Sequence, residues 1–152
     1  MVGWLKLLLV IQVCQVGTVL ACSCAQGEKD HNRAVLQAYK GAALVVVAQA
    51  TAIEKRMIKK AWMEKEHQGE EGQITRFTLL DVFKGEAEDS ILTKSLKSNA
   101  SCDLFFEQGT AYLLYLYGPD QEGYYSTTIC NRSIKLEGAK QDLEVLKQLR
   151  SQ

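Results

Sequence analysis

The sequence has little of what would divide or break a fold. Its 152 residues include one proline, and they contain no low-complexity segment and no internal repeat. Nothing in this composition marks a linker between two domains. We therefore expect one folded domain, long enough to bury a single hydrophobic core.

An excess of charge of one sign is also lacking. Lysine and arginine total 18, and aspartate and glutamate total 18. Nucleic acids and anionic membranes attract proteins that carry a positive excess. The balance therefore argues against either of them as the main partner.

Histidine is scarce, which limits catalysis and metal binding. The chain has two, His31 and His67, and neither has finger-like spacing from Cys22 and Cys24. No Ser/His/Asp or Cys/His arrangement remains once the cysteines are paired. We expect no enzyme activity and no cofactor of the protein's own, and we expect both histidines to be exposed polar residues.

The apolar stretch near the start is too short for a transmembrane helix, which requires about 20 residues. It covers residues 7–13, and Val19 and Ala21 then place tolerated side chains at the −3 and −1 positions of a cleavage site. We predict a secretion signal over residues 1–21 and a secreted, extracellular mature chain of residues 22–152.

One alternative uses the same region. Val19-Leu20-Ala21-Cys22 loosely resembles the lipid-attachment box of bacterial lipoproteins, although Leu20 fits that pattern poorly. A lipid on Cys22 would leave an odd number of thiols among the remaining cysteines. The parity of the cysteines therefore favours simple secretion.

Cysteine is present in an even number once the signal is removed. Cys14 leaves with the signal, and four cysteines remain: Cys22, Cys24, Cys102 and Cys130. In a small secreted chain this number predicts two disulfides. A ring closed by Cys22 and Cys24 would be strained, so each of these two is expected to reach one of the other two, in either arrangement.

Hydrophobic patterning predicts a mainly β fold. It predicts strands over residues 43–53, 73–83, 90–96, 111–117 and 124–129. It predicts helices over residues 28–41 and 138–150. Residues 54–72 are mostly charged and predict an exposed loop or a hairpin extension, with Trp62 as a candidate accessory contact. The strands favour a five-stranded, OB-like closed barrel with flanking helices, since closure removes exposed edges. Five tyrosines are expected to pack within it: Tyr112, Tyr115, Tyr117, Tyr124 and Tyr125.

Several short blocks occur in an informative order. They are Cys22-Ser23-Cys24, Val45-Val46-Val47-Ala48-Gln49-Ala50, Val82-Phe83-Lys84-Gly85, Cys102 ahead of Gly109 and Tyr112-Leu113-Leu114, and Thr127-Thr128-Ile129-Cys130. In this order and spacing they resemble the N-terminal, netrin-like domain of the tissue inhibitors of metalloproteinases, over essentially all of residues 22–152. The resemblance implies the pairing Cys22–Cys102 and Cys24–Cys130, and hence a disulfide-anchored N-terminus.

The resemblance also implies a function. In that family the terminal amine and the first residue's carbonyl chelate the catalytic zinc of a protease, and the next side chain enters the specificity pocket. Transferred to this chain, Cys22 would provide amine and carbonyl, and Ser23 would be the pocket residue. The expected partners are secreted or membrane-anchored zinc metalloproteinases, to which the zinc belongs, and the inhibitor is expected to be a monomer. The implied contact set is Cys22, Ser23, Cys24, Ala25, Asn99, Ala100, Ser101 and Cys102.

The chain also departs from that family. It has four mature cysteines where the vertebrate inhibitors' domain has six, and we expect no counterpart of their second subdomain. Glycosylation sequons begin at Asn99 and Asn131, and a glycan on Asn99 would lie beside the implied protease contact. The alternative function is a non-inhibitory, secreted or lipid-anchored netrin-like module that binds another extracellular protein, since a fold does not determine a function.

Overall fold

The structure is a computed structural model that describes residues 22, 24, 27–59, 69–97 and 102–151. In chain order these residues form α1 (His31–Gly41), β1 (Leu44–Ile58), β2 (Glu70–Lys84), β3 (Ser90–Leu96), β4 (Ala111–Leu116), β5 (Tyr124–Tyr125), β6 (Ile134–Lys135), a 3-10 turn (Leu136–Gly138) and α2 (Lys140–Arg150). The predicted mainly β class, with a helix near each end, is confirmed. The predicted signal peptide, Trp62 and His67 lie outside the described residues.

The described strands form one six-stranded sheet in the order β5-β3-β2-β1-β4-β6. Neighbouring strands are antiparallel except β3 and β5, which are parallel. Three register shifts interrupt the pairing of β1 with β2, and irregularities of this kind bend a strand and increase its twist. The sheet is curled, and just beyond β4 and β5 an isolated bridge joins Tyr117 to Ser126.

The first part of strand β1, residues 44–48, is buried on both faces. Leu44, Val46 and Ala48 pack in a cluster formed by β1 to β4 and by Phe106 in the segment between β3 and β4. Val45 and Val47 belong to a second cluster that includes residues of both helices. Because successive side chains of a strand point to opposite faces, a doubly covered strand reads as a continuous apolar run. This explains the run of valine and alanine that predicted β1.

The β1–β2 pair extends beyond the predicted strands. β1 continues to Ile58 and β2 begins at Glu70, so the described part of residues 54–72 is a hairpin extension rather than a loop. Most of the added β1 residues are exposed. The hairpin alternative was therefore correct for these residues.

The last predicted strand, residues 124–129, is confirmed as a continuous strand only for Tyr124–Tyr125, which form β5. Tyr124–Tyr125 pair with β3, but Ser126 pairs with Tyr117 beyond the end of β4. The next residue, Thr127, donates its hydroxyl to the carbonyl of Tyr115 at 3.1 Å. Threonine side chains that bond the backbone compete with the strand ladder, so the chain leaves the sheet here. The two-residue strand β6 was not predicted, because it is too short to show a periodic pattern.

Lys84 holds the carboxyl end of α1 against β2. Its ammonium donates to the carbonyls of Tyr39 (2.8 Å), Lys40 (3.0 Å) and Ala42 (2.5 Å). Carbonyls at a helix end lack intrahelical partners and carry partial negative charge. The next residue, Gly85, has φ +84°, a conformation that favours glycine. The block Val82-Phe83-Lys84-Gly85 therefore has a structural role.

We expect Lys84→Met to lower the free energy of unfolding by about 2 kcal/mol, since hydrogen bonds from charged donors contribute about 1.5–3 kcal/mol. Urea denaturation followed by circular dichroism measures the change. Lys40→Met is the matched control, because it removes an exposed lysine from the same helix end and is expected to cost less than about 0.5 kcal/mol. Equal losses in the two variants would contradict the capping role of Lys84.

Candidate functional site

Two disulfides attach the start of the described chain to the rest of the fold. Cys22 is bonded to Cys102 and Cys24 to Cys130, and in each pair the Cα atoms lie 5.4 Å apart. This is the pairing that the resemblance implies. Cys22 and Cys102 are half-buried, whereas Cys24 and Cys130 are exposed. These four residues are called the N-terminal edge below.

The two cysteines that receive the N-terminal residues lie on adjacent stretches of backbone. These are residues 102–106 and 127–133, called the first and second anchor segments. The N–H of Ile129 donates to the carbonyl of Cys102 at 2.9 Å, and Asp103 forms an isolated bridge with the second segment. Both disulfides therefore lead to one small ribbon rather than to separate parts of the sheet.

Side chains of β2 and β3 fasten the first anchor segment. The amide of Gln73, which is buried, accepts from the N–H of Phe106 (2.9 Å) and donates to its carbonyl (3.1 Å). Asp103 accepts from the N–H of Leu96 at 2.7 Å, and Ser95 donates to a carbonyl of the segment at 2.7 Å. The segment is thus held against the sheet without becoming a strand.

Asn131 fastens the second anchor segment from inside the fold. It is only 7% exposed. Its Nδ2 donates to the carbonyl of Tyr115 (2.5 Å) and to the hydroxyl of Thr127 (2.7 Å), while its Oδ1 accepts from the N–H of Ser133 (3.1 Å). Both ends of the buried amide are satisfied, as buried polar groups require. The nitrogen that a glycan would occupy therefore lies in a hydrogen-bonded interior.

Next to it, Arg132 forms an ion pair with Asp142 of α2. The guanidinium donates from Nε to Oδ2 (2.9 Å) and from Nη2 to Oδ1 (2.7 Å), which is a bidentate arrangement. The hydroxyl of Tyr115 also donates to Oδ2, at 3.0 Å. Asp142 is 6% exposed, so its charge is compensated inside the fold rather than by water.

This pair affects the ionisation of its neighbours. The hydrogen bonds to Asp142 raise the pKa of Arg132 above its ordinary value, and the adjacent negative charge adds to the rise. Burial raises the pKa of the Tyr115 phenol, and the Asp142 carboxylate raises it further. Both groups therefore keep their protons at physiological pH, and the network stays intact there.

Only part of the implied contact set lies in the described residues. Cys22, Cys24 and Cys102 are brought together at the N-terminal edge. The other members lie outside the described residues: Ser23, Ala25, Asn99, Ala100 and Ser101. Of the tyrosines expected to pack, Tyr112 and Tyr115 are buried, Tyr124 and Tyr125 are half-buried, and Tyr117 is 41% exposed.

The prediction that His31 is an exposed polar residue on the first helix is confirmed in part, because His31 begins α1 and its side chain is 37% exposed, but it also lies beside an ion pair. Its Nε2 lies 3.4 Å from Oδ1 of Asp142, and its Nδ1 lies 3.5 Å from Nη2 of Arg132. His31, the first residue of α1, therefore lies next to the ion pair between Arg132 and Asp142. Helix α1 begins at His31 rather than at residue 28, because Asp30 caps it by accepting from the N–H of Arg33 at 2.9 Å.

The polar residues that hold the two anchor segments were not predicted from the sequence. For Asp142 a signal existed, because it precedes Leu146 by four residues and Leu149 by seven and so shares their helix face. A carboxylate on an apolar face needs a partner. For Asn131 the glycosylation sequon indicated a surface position, which is the opposite of its burial. For Gln73 no sequence signal was available.

Comparison with protein-family models finds no match to this chain, and comparison with curated proteins finds none either. None of the described helices has the length and apolar character needed to cross a membrane. Within the described ranges, no group of three or more His, Cys, Asp or Glu side chains is arranged to hold a metal ion.

We expect Asn131 to carry no glycan in the folded protein, because its Nδ2 is buried and hydrogen-bonded. The test is peptide mass analysis after expression through a eukaryotic secretory pathway. A peptide spanning residue 131 should have its unmodified mass before and after enzymatic deglycosylation. A glycan on Asn131 in protein that keeps both disulfides would contradict the burial described here.

Proposed function

We propose that the protein is a secreted inhibitor of zinc metalloendopeptidases, similar in kind to the tissue inhibitors of metalloproteinases. The observation that carries the proposal is the double disulfide attachment of Cys22 and Cys24 to one ribbon. Cleavage after Ala21 would create the α-amine on Cys22 itself. That amine would then belong to a residue already fixed to the fold.

The chemistry of such a terminus suits a catalytic zinc. Zinc in proteases is held by three protein ligands and keeps one position for water or substrate. The amine nitrogen and the carbonyl oxygen of Cys22 belong to one residue, so they would displace the water and close a chelate ring on the metal. The zinc belongs to the protease, and Ser23, between two bonded cysteines, would enter the specificity pocket.

The disulfides favour this mode of binding through preorganisation. A flexible terminus loses conformational freedom when it enters an active site, and that loss reduces affinity. Here two bridges and the paired anchor segments restrict residues 22 and 24 before any protease is met. Disulfides are also typical of proteins from oxidising compartments, which agrees with the proposed secretion.

We further infer that β1 to β5 form the closed, OB-like barrel of the netrin-like fold. Two observations support this. The pairing of β3 with β5 is parallel, and Tyr117 and Ser126 exchange backbone hydrogen bonds of 2.9 and 3.0 Å just beyond β4 and β5. These contacts link the strands in the ring β1-β2-β3-β5-β4, which would give the N-terminal edge a rigid support.

Adding one alanine before Cys22 should abolish inhibition, because the chelating nitrogen becomes an amide and the extra residue occupies the space around the zinc. Inhibition constants against a panel of zinc endopeptidases measure the effect. The mature protein must first be shown by intact mass to begin at Cys22 with both disulfides formed. The control carries the same alanine after Gln152. Unchanged potency of the N-terminal variant would refute the chelation mechanism, and a mature protein that inhibits no protease would favour the non-inhibitory binding module.

Inhibition should weaken as pH falls below the reference pKa of an α-amine, about 7.7–8.0. Only the neutral amine can bind zinc, so each further unit of pH decrease should raise the inhibition constant about tenfold. The measurement is a pH series with one protease, normalised to a synthetic zinc-binding inhibitor that has no amine ligand. An inhibition constant that tracks this reference compound at every pH would contradict the role of the amine.

A further inference from the structure

We propose that Arg132 and Asp142 are positioning residues for the N-terminal edge, so that helix α2 supports Cys24, two residues after the zinc-binding Cys22, from within the fold. The proposal rests on the proposed function for its consequence in inhibition. Its structural part, the immobilisation of the second anchor segment by α2, can be tested without any protease.

The path of contacts and covalent bonds from α2 to the edge is short. Asp142 holds the guanidinium of Arg132 through two hydrogen bonds, at 2.9 and 2.7 Å. Arg132 follows Cys130 by two residues, and the residue between them is the buried Asn131. Cys130 is bonded to Cys24. The path therefore consists of one bidentate ion pair, three consecutive residues and one disulfide.

The backbone of Arg132 supplies a second observation. Its φ is 72°, and within the described ranges it is the one non-glycine residue with a positive φ. A side chain disfavours this conformation, which persists only where surrounding contacts enforce it. Glycine would satisfy the backbone alone, but it could not reach Asp142. The strained turn is therefore held by the side chain that pairs with α2.

The charges around Asp142 also support the positioning role of Arg132. The carboxylate is buried and bonds the guanidinium of Arg132 and the hydroxyl of Tyr115, with the ring of His31 at 3.4 Å. The guanidinium is the permanently charged partner among these groups. Removing it leaves a buried carboxylate without a compensating charge. The end of α2 that carries Asp142 would then move toward water and away from the second anchor segment.

A matched control exists on the same helix. Arg150 pairs with Asp81 of β2 at 2.7 Å, and both side chains are partly exposed. Arg150→Gln therefore weakens the attachment of α2 to the sheet without touching either anchor segment. If Arg132 contributed only to global stability, exchange at the anchor segments, normalised to that of a core amide, would stay as in this control.

The experiment compares Arg132→Gly, Asp142→Asn and Arg150→Gln in the full mature protein. The first readout is hydrogen exchange at the Ile129 amide, which bonds the Cys102 carbonyl across the two anchor segments, normalised to the core amide of Val46. We expect exchange about tenfold faster in Arg132→Gly and Asp142→Asn, and within about twofold of the unmodified protein in Arg150→Gln. Arg132→Lys keeps the charge but cannot form the bidentate pair, so its exchange rate at Ile129 should lie between these two results.

The second readout is the inhibition constant at a temperature well below every variant's unfolding transition. It should rise about three- to tenfold in the first two variants, mainly through faster dissociation, and stay unchanged in Arg150→Gln. Because Arg132→Gly relieves the backbone strain, unchanged Ile129 exchange in this variant would overturn the positioning role. If the unmodified protein inhibits no protease, the proposed function fails, and the exchange measurement still decides the positioning role.

Discussion

Strand β1 must bury apolar side chains on both of its faces, and the arrangement of the other elements follows from that requirement. One face is covered by the curl of the sheet itself, and the other is covered by α1 and α2. Its neighbour β4 is covered in the same way, with Leu114 in the first cluster and Leu113 and Tyr115 in the second. On the side of β4 that faces the helices, Leu113 and Tyr115 pack in the same cluster as Leu146 of α2.

Tyr115 connects this core to the N-terminal edge. Its side chain is fully buried among the helices, and its hydroxyl reaches Asp142 of α2. Its N–H donates to the hydroxyl of Ser133 at 2.8 Å, and its carbonyl accepts from Asn131 and Thr127. One core residue thus bonds both the second anchor segment and the helix that holds Arg132. The second anchor segment, to which Cys24 is bonded through Cys130, is consequently held by a residue packed in the interior.

Sequence patterns predicted the elements that periodic burial produces, namely four of the strands and both helices, and the resemblance implied the observed cysteine pairing. They failed where polar side chains are buried. Thr127 and Asn131 stand in a stretch that reads as a strand end with a surface sequon, and their burial depends on the distant carbonyl of Tyr115. Asp142 was detectable as a carboxylate on an apolar helix face, but its partner Arg132 was not, because a left-handed arginine leaves no periodic signal.

The disulfides alone do not make the N-terminal edge rigid. A disulfide fixes the distance between two backbone segments. It makes one segment rigid only if the other segment is itself rigid. Here the receiving segments are bonded to each other and fastened separately, the first by Gln73, Ser95 and Asp103 and the second by Asn131 and Arg132. In the proposed inhibitor, the ordering cost of these segments would be met during folding rather than on binding a protease. Both bridges therefore lead to a ribbon that buried polar contacts constrain.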